Sequence, residues 1–589
     1  GNFSNTATVA NTETVTGGTG NDTITLASAL TDAVSIDLGA GVNELTLANA
    51  SNTGTVKNVA TLIGGTGADA ITLGTAAVAA SIDLGAGNDA LTFGNFTNSA
   101  TVANTETIAG GTGNDTITLA TALTTGMSVD LGAGANKLTL ANVANAGTVS
   151  NVNTLIGGSG NDTITLGTAL TAAMAVDLGG GANKLTLANV ANTGSVTNVE
   201  TLIGGSGNDS INLATALTTA MLVDLGAGAN KLTLANVANS GTVSNIGTLI
   251  GGTGNDTITL GTAIASGSID LGTGNDSITL ANGTNSATIA NTETIVGGSG
   301  NDSITLGAAE TNGSIDLGAG NDKLTFGNFT NAATVANTET IVGGTGNDTI
   351  TLATALTTGM SVDLGAGTNK LTLGNGANTG TVSNVNTLIG GSGNDTITLG
   401  TVLANGSVDL GSGTDSLTLA KGTNKLSVAN TETVTGGAGN DTIVLTGSNA
   451  SMVIGGGGLN FVTGNSGADT FVLNQDSAGN LTTIENFSSA NNDKIALDTT
   501  GSATLSGNIY NLGGAALSTA DLKSVANVGA RLTTVLSDGG NGAFVYEQDT
   551  GALYYSANGS FTGGGTEIGV ITTNGTTPWT FDSTKFIQV

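Results

Sequence analysis

Cysteine and histidine are absent from all 589 residues, and proline occurs only once. Without cysteine the chain has no disulfide framework and no thiolate metal site. Without cysteine or histidine it also lacks the common nucleophile–base pairs of hydrolytic enzymes, so we expect that it is not an enzyme. Aromatic residues make up 3% of the chain, which favours a thin aliphatic core over a thick globular one.

Positive charge is scarce: 12 Lys and Arg stand against 43 Asp and Glu, for a formal net charge of −31. This excludes the basic footprint that nucleic-acid binding needs. A compact chain with so many carboxylates repels itself unless cations neutralise them. Disorder is the alternative, but the apolar residues, 38% of the chain, recur regularly, unlike those of a linker. No apolar run reaches the ~18 residues of a membrane span.

A glycine-rich motif recurs along most of the chain. The pattern Gly-Gly-x-Gly-x-Asp-x-apolar-x, the first motif, begins at Gly17, Gly64, Gly110, Gly157, Gly204, Gly251, Gly297, Gly343, Gly390 and Gly436. The copies are 46 or 47 residues apart. A fixed period of this length indicates an array of stacked structural units.

Each repeat contains short alternating segments separated by glycines. After the first motif come a bend and then a segment such as 81–93. This segment contains Gly-Ala-Gly-Asn-Asp at 85–89, a shorter version of the first motif that we call the second motif. We interpret 101–108 as a further strand. Period-two alternation points Ile, Leu and Val inward and Thr, Ser and Asp outward, while glycine supplies the positive φ of the turns. The sequence therefore predicts an all-β fold, an elongated right-handed parallel β-solenoid or β-roll with about two coils per repeat.

The first motif has the chemistry of a calcium site. Calcium prefers six to eight hard oxygen ligands; glycines let main-chain carbonyls face one point, and Asp adds negative charge. The motif resembles the calcium-binding nonapeptide of RTX proteins, and the resemblance covers residues 17 to about 472. It implies several bound Ca²⁺ ions, with an Asp that only caps a turn as the alternative. The implied ligands are Asp22, Asp69, Asp115, Asp162, Asp209, Asp256, Asp302, Asp348, Asp395, Asp441 and, in the last tandem copy, Asp469.

The second motif occurs in two classes. In repeats of 46 residues it keeps the carboxylate, at Asp89, Asp276, Asp322 and Asp415, which we add to the predicted metal ligands. In repeats of 47 residues it has an amide instead, at Asn43, Asn136, Asn183, Asn230 and Asn369. We expect the amide class to bind calcium weakly or not at all, with drift after duplication as the alternative.

Two further sets of acids recur. Nine Asp precede the second motifs, and either calcium ligands or solvated rim charges would fit them: Asp37, Asp83, Asp130, Asp177, Asp224, Asp270, Asp316, Asp363 and Asp409. The Glu residues of the Asn-Thr-Glu-Thr segments we interpret as solvated surface: Glu13, Glu106, Glu293, Glu339 and Glu432.

Composition divides the chain into four parts. We interpret 1–16 as the end of a truncated repeat, 17–435 as nine calcium-binding repeats, and 436–472 as a final repeat with tandem nonapeptides. Residues 473–589, which hold the single Trp and Arg and all four Tyr, resemble the C-terminal module of type I secretion substrates and would cap the last coil. Residues 1–18 nearly duplicate 94–111, so we expect more protein upstream.

The resemblance extends to function. The chain is rich in Thr, Ala, Gly and Asn and in this respect resembles S-layer proteins of Gram-negative bacteria. The resemblance implies a secreted, calcium-dependent surface protein that assembles with copies of itself. The alternatives are an adhesin or biofilm-matrix stalk, the repeat region of a larger secreted toxin or enzyme, and ice binding through pairs such as Thr23 and Thr25. The expected partners are other copies, the type I secretion machinery and a cell-surface polysaccharide bound through an upstream region.

Overall fold

The computed structural model describes residues 1–474, 481–498, 522–525, 543–547, 552–556, 566–572 and 586–588. The chain divides into two compact units, Gly1–Thr292 and Glu293–Val589, and each is described by itself. In these residues the helical structure consists of one 3₁₀ turn, Ser489–Asn491, and no helix is long and apolar enough to cross a bilayer. Trp579, Arg531, Pro578 and Val589 lie outside the described residues.

The first unit consists of short strands. Their bounds are β1 Thr6–Val9, β2 Thr14–Gly18, β3 Thr23–Leu26, β4 Ser35–Gly39, β5 Glu44–Thr46, β6 Thr53–Lys57, β7 Thr61–Gly65, β8 Ala70–Leu73, β9 Ala80–Gly85, β10 Ala90–Thr92, β11 Ser99–Ala103, β12 Thr107–Ala109, β13 Thr116–Leu119, β14 Ser128–Asp130, β15 Lys137–Thr139, β16 Ala146–Ser150, β17 Thr154–Gly158, β18 Thr163–Leu166, β19 Ala175–Gly179, β20 Lys184–Thr186, β21 Thr193–Thr197, β22 Thr201–Gly205, β23 Ser210–Leu213, β24 Leu222–Gly226, β25 Lys231–Thr233, β26 Ser240–Ser244, β27 Thr248–Thr253, β28 Thr257–Leu260, β29 Gly267–Thr273, β30 Ser277–Thr279 and β31 Ser286–Ala290.

The second unit continues the pattern. Its strands are β32 Thr294–Gly298, β33 Ser303–Leu306, β34 Thr311–Gly318, β35 Lys323–Thr325, β36 Ala332–Ala336, β37 Thr340–Val342, β38 Thr349–Leu352, β39 Ser361–Asp363, β40 Lys370–Thr372, β41 Thr379–Ser383, β42 Thr387–Ser392, β43 Thr396–Leu399, β44 Ala404–Ser412, β45 Ser416–Thr418, β46 Lys425–Ala429, β47 Thr433–Thr435, β48 Thr442–Thr446, β49 Met452–Ile454, β50 Leu459–Thr463, β51 Thr470–Asn474, β52 Leu481–Glu485, β53 Lys494–Asp498, β54 Leu522–Val525, β55 Ala543–Glu547, β56 Ala552–Ser556, β57 Thr566–Ile571 and β58 Phe586–Gln588.

Both units are parallel β-solenoids, as predicted. Within each unit, up to β53, odd-numbered strands pair with odd and even with even, so one coil uses one strand from each of two sheets. Thr6 pairs with Thr23, Thr23 with Glu44 and Glu44 with Thr61, so these coils advance by 17 or 21 residues. Side chains alternate as expected: along β18 the two Thr are exposed, whereas Ile164 and Leu166 are buried between the sheets.

Each repeat forms two and a half coils, half a coil more than the sequence interpretation gave. The repeat that begins at Gly64 contributes five strands, β8 to β12, before the next first motif. The extra half coil comes from 101–108, where the alternating pattern predicts a single strand. Asn104 there has a φ of 48°, a left-handed conformation that Asn tolerates better than most residues, and it turns the chain between β11 and β12.

Within each unit, the half coil places successive repeats on opposite edges of the solenoid. The first motif at 17–22 leads from an even strand to an odd one, whereas the motif at 64–69 leads from an odd strand to an even one. On each edge a first motif therefore lies directly below the second motif of its own repeat and above a Leu-Ala-Asn turn (47–52 and its equivalents) of the preceding repeat. This stacking brings together the recurring polar residues of three turns.

Strands after the last coil extend both sheets. β57 pairs in parallel with β52, and β58 pairs in parallel with β53, where Phe586 lies opposite Ile495. β56 is antiparallel to both β55 and β57. The described parts of the C-terminal region are thus β-structured, and two of its strands cover edges that the last coil would otherwise expose.

Candidate calcium sites

Polar side chains form a hydrogen-bonded column on each edge. The main-chain N–H of Asn52 donates to Asp69 Oδ1 at 2.8 Å, and the N–H of Asp69 donates to Asp89 Oδ1 at 2.7 Å. The N–H of Asp89 in turn donates to Glu106 Oε2 at 2.7 Å. One side-chain oxygen from each coil therefore accepts the N–H of the turn in the preceding coil, which fixes the register of the three turns.

The first-motif aspartates use only one carboxylate oxygen in this column. Asp69 Oδ1 accepts both the N–H and the side-chain amide of Asn52, at 2.8 and 2.7 Å. The other oxygen, Oδ2, is buried and accepts no hydrogen bond at Asp22, Asp69, Asp115, Asp162, Asp256, Asp348 and Asp395. A buried carboxylate oxygen without a donor is costly, so each of these atoms has the environment of a cation ligand.

The first glycine of the motif keeps open an oxygen-lined cradle beside that atom. A Cβ on Gly17 would lie 2.2 Å from the carbonyl oxygen of Leu38 and 2.5 Å from Asp22 Oδ2. Gly157 shows the same pair of contacts, with the Leu178 carbonyl and Asp162 Oδ2 at 2.1 and 2.6 Å. Glycine is required because any side chain would fill the space in which the two oxygens converge.

The second motifs that carry Asn show which kind of charge the carbonyl oxygens of this cradle attract. Asn43 Oδ1 accepts the N–H of Asp22, as the aspartate class does. Its Nδ2 group donates to the carbonyls of Leu38, Gly39 and Asn58 at 3.3, 3.1 and 2.9 Å. Asn136, Asn230 and Asn369 donate to the three equivalent carbonyls, and Asn183 to two of them. The amide thus directs positive partial charge at a cluster of carbonyl oxygens.

In the aspartate class an oxygen replaces that amide group. By register, Asp89 Oδ2 takes the place of Asn43 Nδ2, and it is buried without a donor, as is Oδ2 of Asp322 and of Asp415. The pKa of Asp89 is raised to about 6, mainly by burial. The carboxylates of Asp69 and Glu106 contribute to the rise, and the hydrogen bond from the N–H of Asp69 opposes it. Burial likewise raises the pKa of Asp322 and of Asp415. An oxygen that faces carbonyls needs a positive charge between them.

Three predicted ligands differ from the rest. Asp209 and Asp441 direct Oδ2 at the N–H of the second glycine of their motifs, at 3.5 and 3.2 Å. Asp469 accepts hydrogen bonds on both oxygens, from the N–H of Ser451 at 3.1 Å and of Asn465 at 2.9 Å. Asp469 therefore caps its turn, while burial raises its pKa to about 6.

The carboxylate and main-chain carbonyl oxygens of these turns together suit calcium, whereas side chains alone would not form a metal site. The described residues contain no cluster of three or more acidic, His or Cys side chains suited to a metal. Asp69 and Asp89, on adjacent coils, supply two carboxylates, and the carbonyls of Leu84 and Gly85 are the register equivalents of those that Asn43 contacts. Two carboxylates with several carbonyls form a hard-oxygen set of the kind calcium prefers.

The other recurring acids have structural roles. Asp37 Oδ1 accepts the N–H of Gly39 at 3.0 Å and the side chain of Asn58 at 2.6 Å, and the other eight Asp of this set repeat the pattern. The interpretation of the Asn-Thr-Glu glutamates as solvated surface is wrong for Glu106, Glu339 and Glu432, which accept main-chain N–H groups at 2.7 to 2.8 Å.

The sequence interpretation missed the amide donors to the first motif. These are the last residues of the Leu-Ala-Asn turns and their equivalents: Asn5, Asn52, Asn98, Asn145, Asn192, Asn239, Asn331, Asn378 and Asn424. Each lies 17 residues before its aspartate. That constant spacing is visible in the sequence, but it identifies the pair only when 17 residues are known to make one coil.

Comparison with known families matches the first motif. The RTX calcium-binding nonapeptide repeat matches residues 9–26, 102–119, 149–168, 197–213, 245–262, 290–309, 335–352, 382–401, 429–449 and 445–477. The chain carries RTX calcium-binding repeats. The matches do not extend over the first-motif copy at 64–69 or over the second motifs at 85–89, 272–276, 318–322 and 411–415. The assignment of calcium to Asp69, and to Asp89 and its equivalents, therefore rests on geometry.

Comparison with solved structures gives a similar chain of low identity. It is a hyperactive, Ca²⁺-dependent, β-helical antifreeze protein from an Antarctic bacterium, 18% identical, covering 67% of this chain and 84% of that chain with a TM-score of 0.13. No curated protein matches this chain. RTX repeat proteins are typically secreted.

The raised pKa values predict that acid partly replaces calcium. The pKa of Glu310, which occupies an apolar column, is also raised, to about 7, mainly by burial and further by the carboxylate of Glu293, against a hydrogen bond from the N–H of Thr311. A group with a raised folded-state pKa stabilises the fold below its unfolded pKa and loses that effect as pH rises through the folded pKa. We expect calcium-free protein to gain β signal in circular dichroism as pH falls from 7.5 to 5; a loss of signal over this range would contradict the prediction.

Proposed function

We propose that this chain is a non-catalytic, calcium-dependent structural protein of the bacterial cell surface that assembles with copies of itself into an S-layer-like lattice or filament. The buried Oδ2 atoms of the turn aspartates carry the calcium part of this proposal, because the amide class places N–H donors where the aspartate class places an oxygen. The family match to calcium-binding nonapeptides supports it independently.

Each calcium would join two coils of one edge. Asp69 and Asp89 would hold it with the main-chain carbonyls of Leu84 and Gly85, and the other first-motif aspartates would act with the coil above them. Bound calcium supplies the positive charge that the converging oxygens lack. The residues themselves then fix the spacing of adjacent turns through the Asn–Asp and Asp–Asp hydrogen bonds described above.

An extracellular location fits this dependence. Extracellular calcium modules commonly have dissociation constants of about 10⁻⁴–10⁻³ M, so such a chain would fold only after export into a calcium-rich medium. The β-rich C-terminal module would act as the type I secretion signal. An adhesin stalk, or the repeat region of a larger secreted protein, is the alternative function for the same calcium-dependent solenoid.

The surface of the first unit supports contacts between copies. Its outward strand positions carry mainly short Thr, Ser and Ala side chains, which lose little entropy on packing. Exposed valines stand at the tips of Leu-Ala-Asn turns: Val143, Val190 and Val237 are 49%, 49% and 50% exposed. Val143 and Val237 lie five coils apart on one edge, about 24 Å at the usual strand spacing. Repeated weak contacts at a fixed spacing reinforce one another.

The proposal predicts calcium-driven assembly. Light scattering should rise as calcium is added beyond the concentration that completes folding, and magnesium, which tolerates such flexible oxygen sites poorly, should not substitute. The triple variant V143S/V190S/V237S should fold at the same calcium concentration and assemble less.

Val42→Ser provides the matched control. Val42 is 69% exposed but stands in a second motif, so its replacement should leave assembly unchanged. A protein that folds and stays monomeric at millimolar calcium would overturn the lattice proposal in favour of the stalk. If V42S reduces assembly as much as the triple variant does, the valine series has no special role in assembly, although the lattice proposal itself would stand.

A further inference from the structure

The polar column lacks an acceptor in the coil that follows Asn230. In the amide-class coils, the N–H of Asn183 donates to Glu200 Oε2 at 2.7 Å, and the N–H of Asn136 donates to Asn153 Oδ1 at 2.8 Å. Glu200 lies 17 residues after Asn183, and the residue 17 positions after Asn230 is Gly247, which has no side chain. The main-chain N–H of Asn230 therefore has no acceptor from the next coil.

A hollow lies beside the glycine that replaces this acceptor. A space of about 540 Å³ is lined by residues 226–230, 245–248, 263, 265 and 266, which include Asn230 and Gly247. A Cβ built on Gly247 would lie 3.5 Å from the carbonyl oxygen and 3.9 Å from the nitrogen of Asn230, so the site accepts additional atoms without a clash. The hollow therefore combines free volume with a main-chain donor.

We propose that this hollow is a carboxylate-binding site, in which the N–H of Asn230 donates to an oxygen of the bound carboxylate. The chain shows the preferred occupant itself, because Glu200 places a carboxylate oxygen on the equivalent N–H of Asn183 at 2.7 Å. An N–H that donates to a carboxylate forms a charge-assisted bond, stronger than one to a neutral oxygen. Lys231, the next residue, adds a positive charge to a chain that is otherwise strongly acidic.

Ala60 stands at the equivalent place above Asn43, so a second coil also lacks the acceptor. The column continues normally below both places, since Asn43 and Asn230 still accept the N–H of Asp22 and Asp209 at 2.9 Å. The proposal is independent of calcium, because the site offers a hydrogen-bond donor and no carboxylate of its own.

Saturation-transfer NMR on the full, calcium-loaded chain tests this with sodium acetate as the probe and sodium chloride at equal ionic strength as the background. We expect saturable transfer to the acetate methyl group. The variant G247N copies the neutral acceptor that Asn153 supplies and should remove one of two sites without changing the charge, and A60N/G247N should remove both. N153G should create an additional site.

Transfer that persists unchanged in A60N/G247N, or that is absent from the wild type and N153G alike, would overturn the proposal. Galacturonic acid, with neutral galactose as its control, distinguishes two possible sources of the bound carboxylate. Binding of galacturonic acid would indicate the uronic acids of a polysaccharide, whereas binding of acetate alone would indicate small free carboxylates. A stable A60N/G247N protein also verifies that loss of binding is not loss of fold.

Discussion

Removal of calcium should abolish most of the β signal of this protein at pH 7.5. Without cations, the first-motif aspartates leave buried carboxylate oxygens without a donor, and a formal charge of −31 repels itself. An ion that binds only the folded state stabilises it by about 2.7 kcal/mol per site at a hundredfold excess over its dissociation constant. With a candidate site in every repeat, the sum exceeds the 5–15 kcal/mol by which typical domains are stable.

Circular dichroism during titration with EGTA, and on return of calcium, measures this effect. Magnesium at equal concentration is the control for charge screening, because it neutralises the chain without matching the flexible oxygen geometry that calcium accepts. A spectrum that is unchanged in excess EGTA would contradict the prediction and would mean that the turn aspartates only cap their turns.

The strands and the first motif could be predicted from the sequence because each rests on local physics. Alternation in segments such as 163–166 predicts one buried face, and the glycine at Gly17 predicts the close approach that the Leu38 carbonyl makes. The half coil could not be predicted in this way. It depends on Asn104 adopting positive φ, and Asn does so only in some contexts, so the pattern of 101–108 also fits one continuous strand.

Roles that cross between coils were beyond the sequence for the same reason. Glu106 and Asn52 contact residues 17 positions away, and this spacing becomes meaningful only when the coil length is known. The two classes of second motif were separable by length and residue type. What the amide does, however, followed only from the three carbonyls that Asn43 contacts.

That geometry predicts that exchanging Asp and Asn in the second motif exchanges calcium dependence. The closest matched pair is Asp322 and Asn183: each is followed by Lys, and their N–H groups both donate to a glutamate, Glu339 or Glu200, at 2.7 Å. Their Oδ1 atoms also accept the N–H of the first-motif aspartate alike, at 2.7 and 2.9 Å. Apart from the repeat length, 46 residues against 47, the two coils therefore differ mainly in having Oδ2 of Asp322 in place of Nδ2 of Asn183.

We expect D322N to bind one calcium fewer and to fold at a lower calcium concentration. The new amide would donate to carbonyls that the carboxylate repels, each hydrogen bond contributing about 0.5–1.5 kcal/mol, and the variant would no longer bury a carboxylate without a donor, a condition that costs several kcal/mol. N183D should do the reverse, because it introduces that oxygen where the amide of Asn183 now donates to the carbonyls of Gly179 and Asn198. Multiplying the exchange, as D89N/D276N/D322N/D415N, should enlarge both effects.

Calorimetric calcium titration gives the number of ions, and circular dichroism at fixed calcium gives the midpoint of folding. The pair is informative because the two substitutions change charge in opposite directions, so a general effect of net charge predicts that D322N gains stability while its calcium count stays the same. If D322N instead binds as many ions as the wild type, the second-motif carboxylate is no ligand, and calcium is held by the first motif and main-chain carbonyls alone. If N183D gains no ion but folds as before, water solvates the new Oδ2 atom, and the neighbouring carbonyl oxygens do not need a cation between them and the carboxylate.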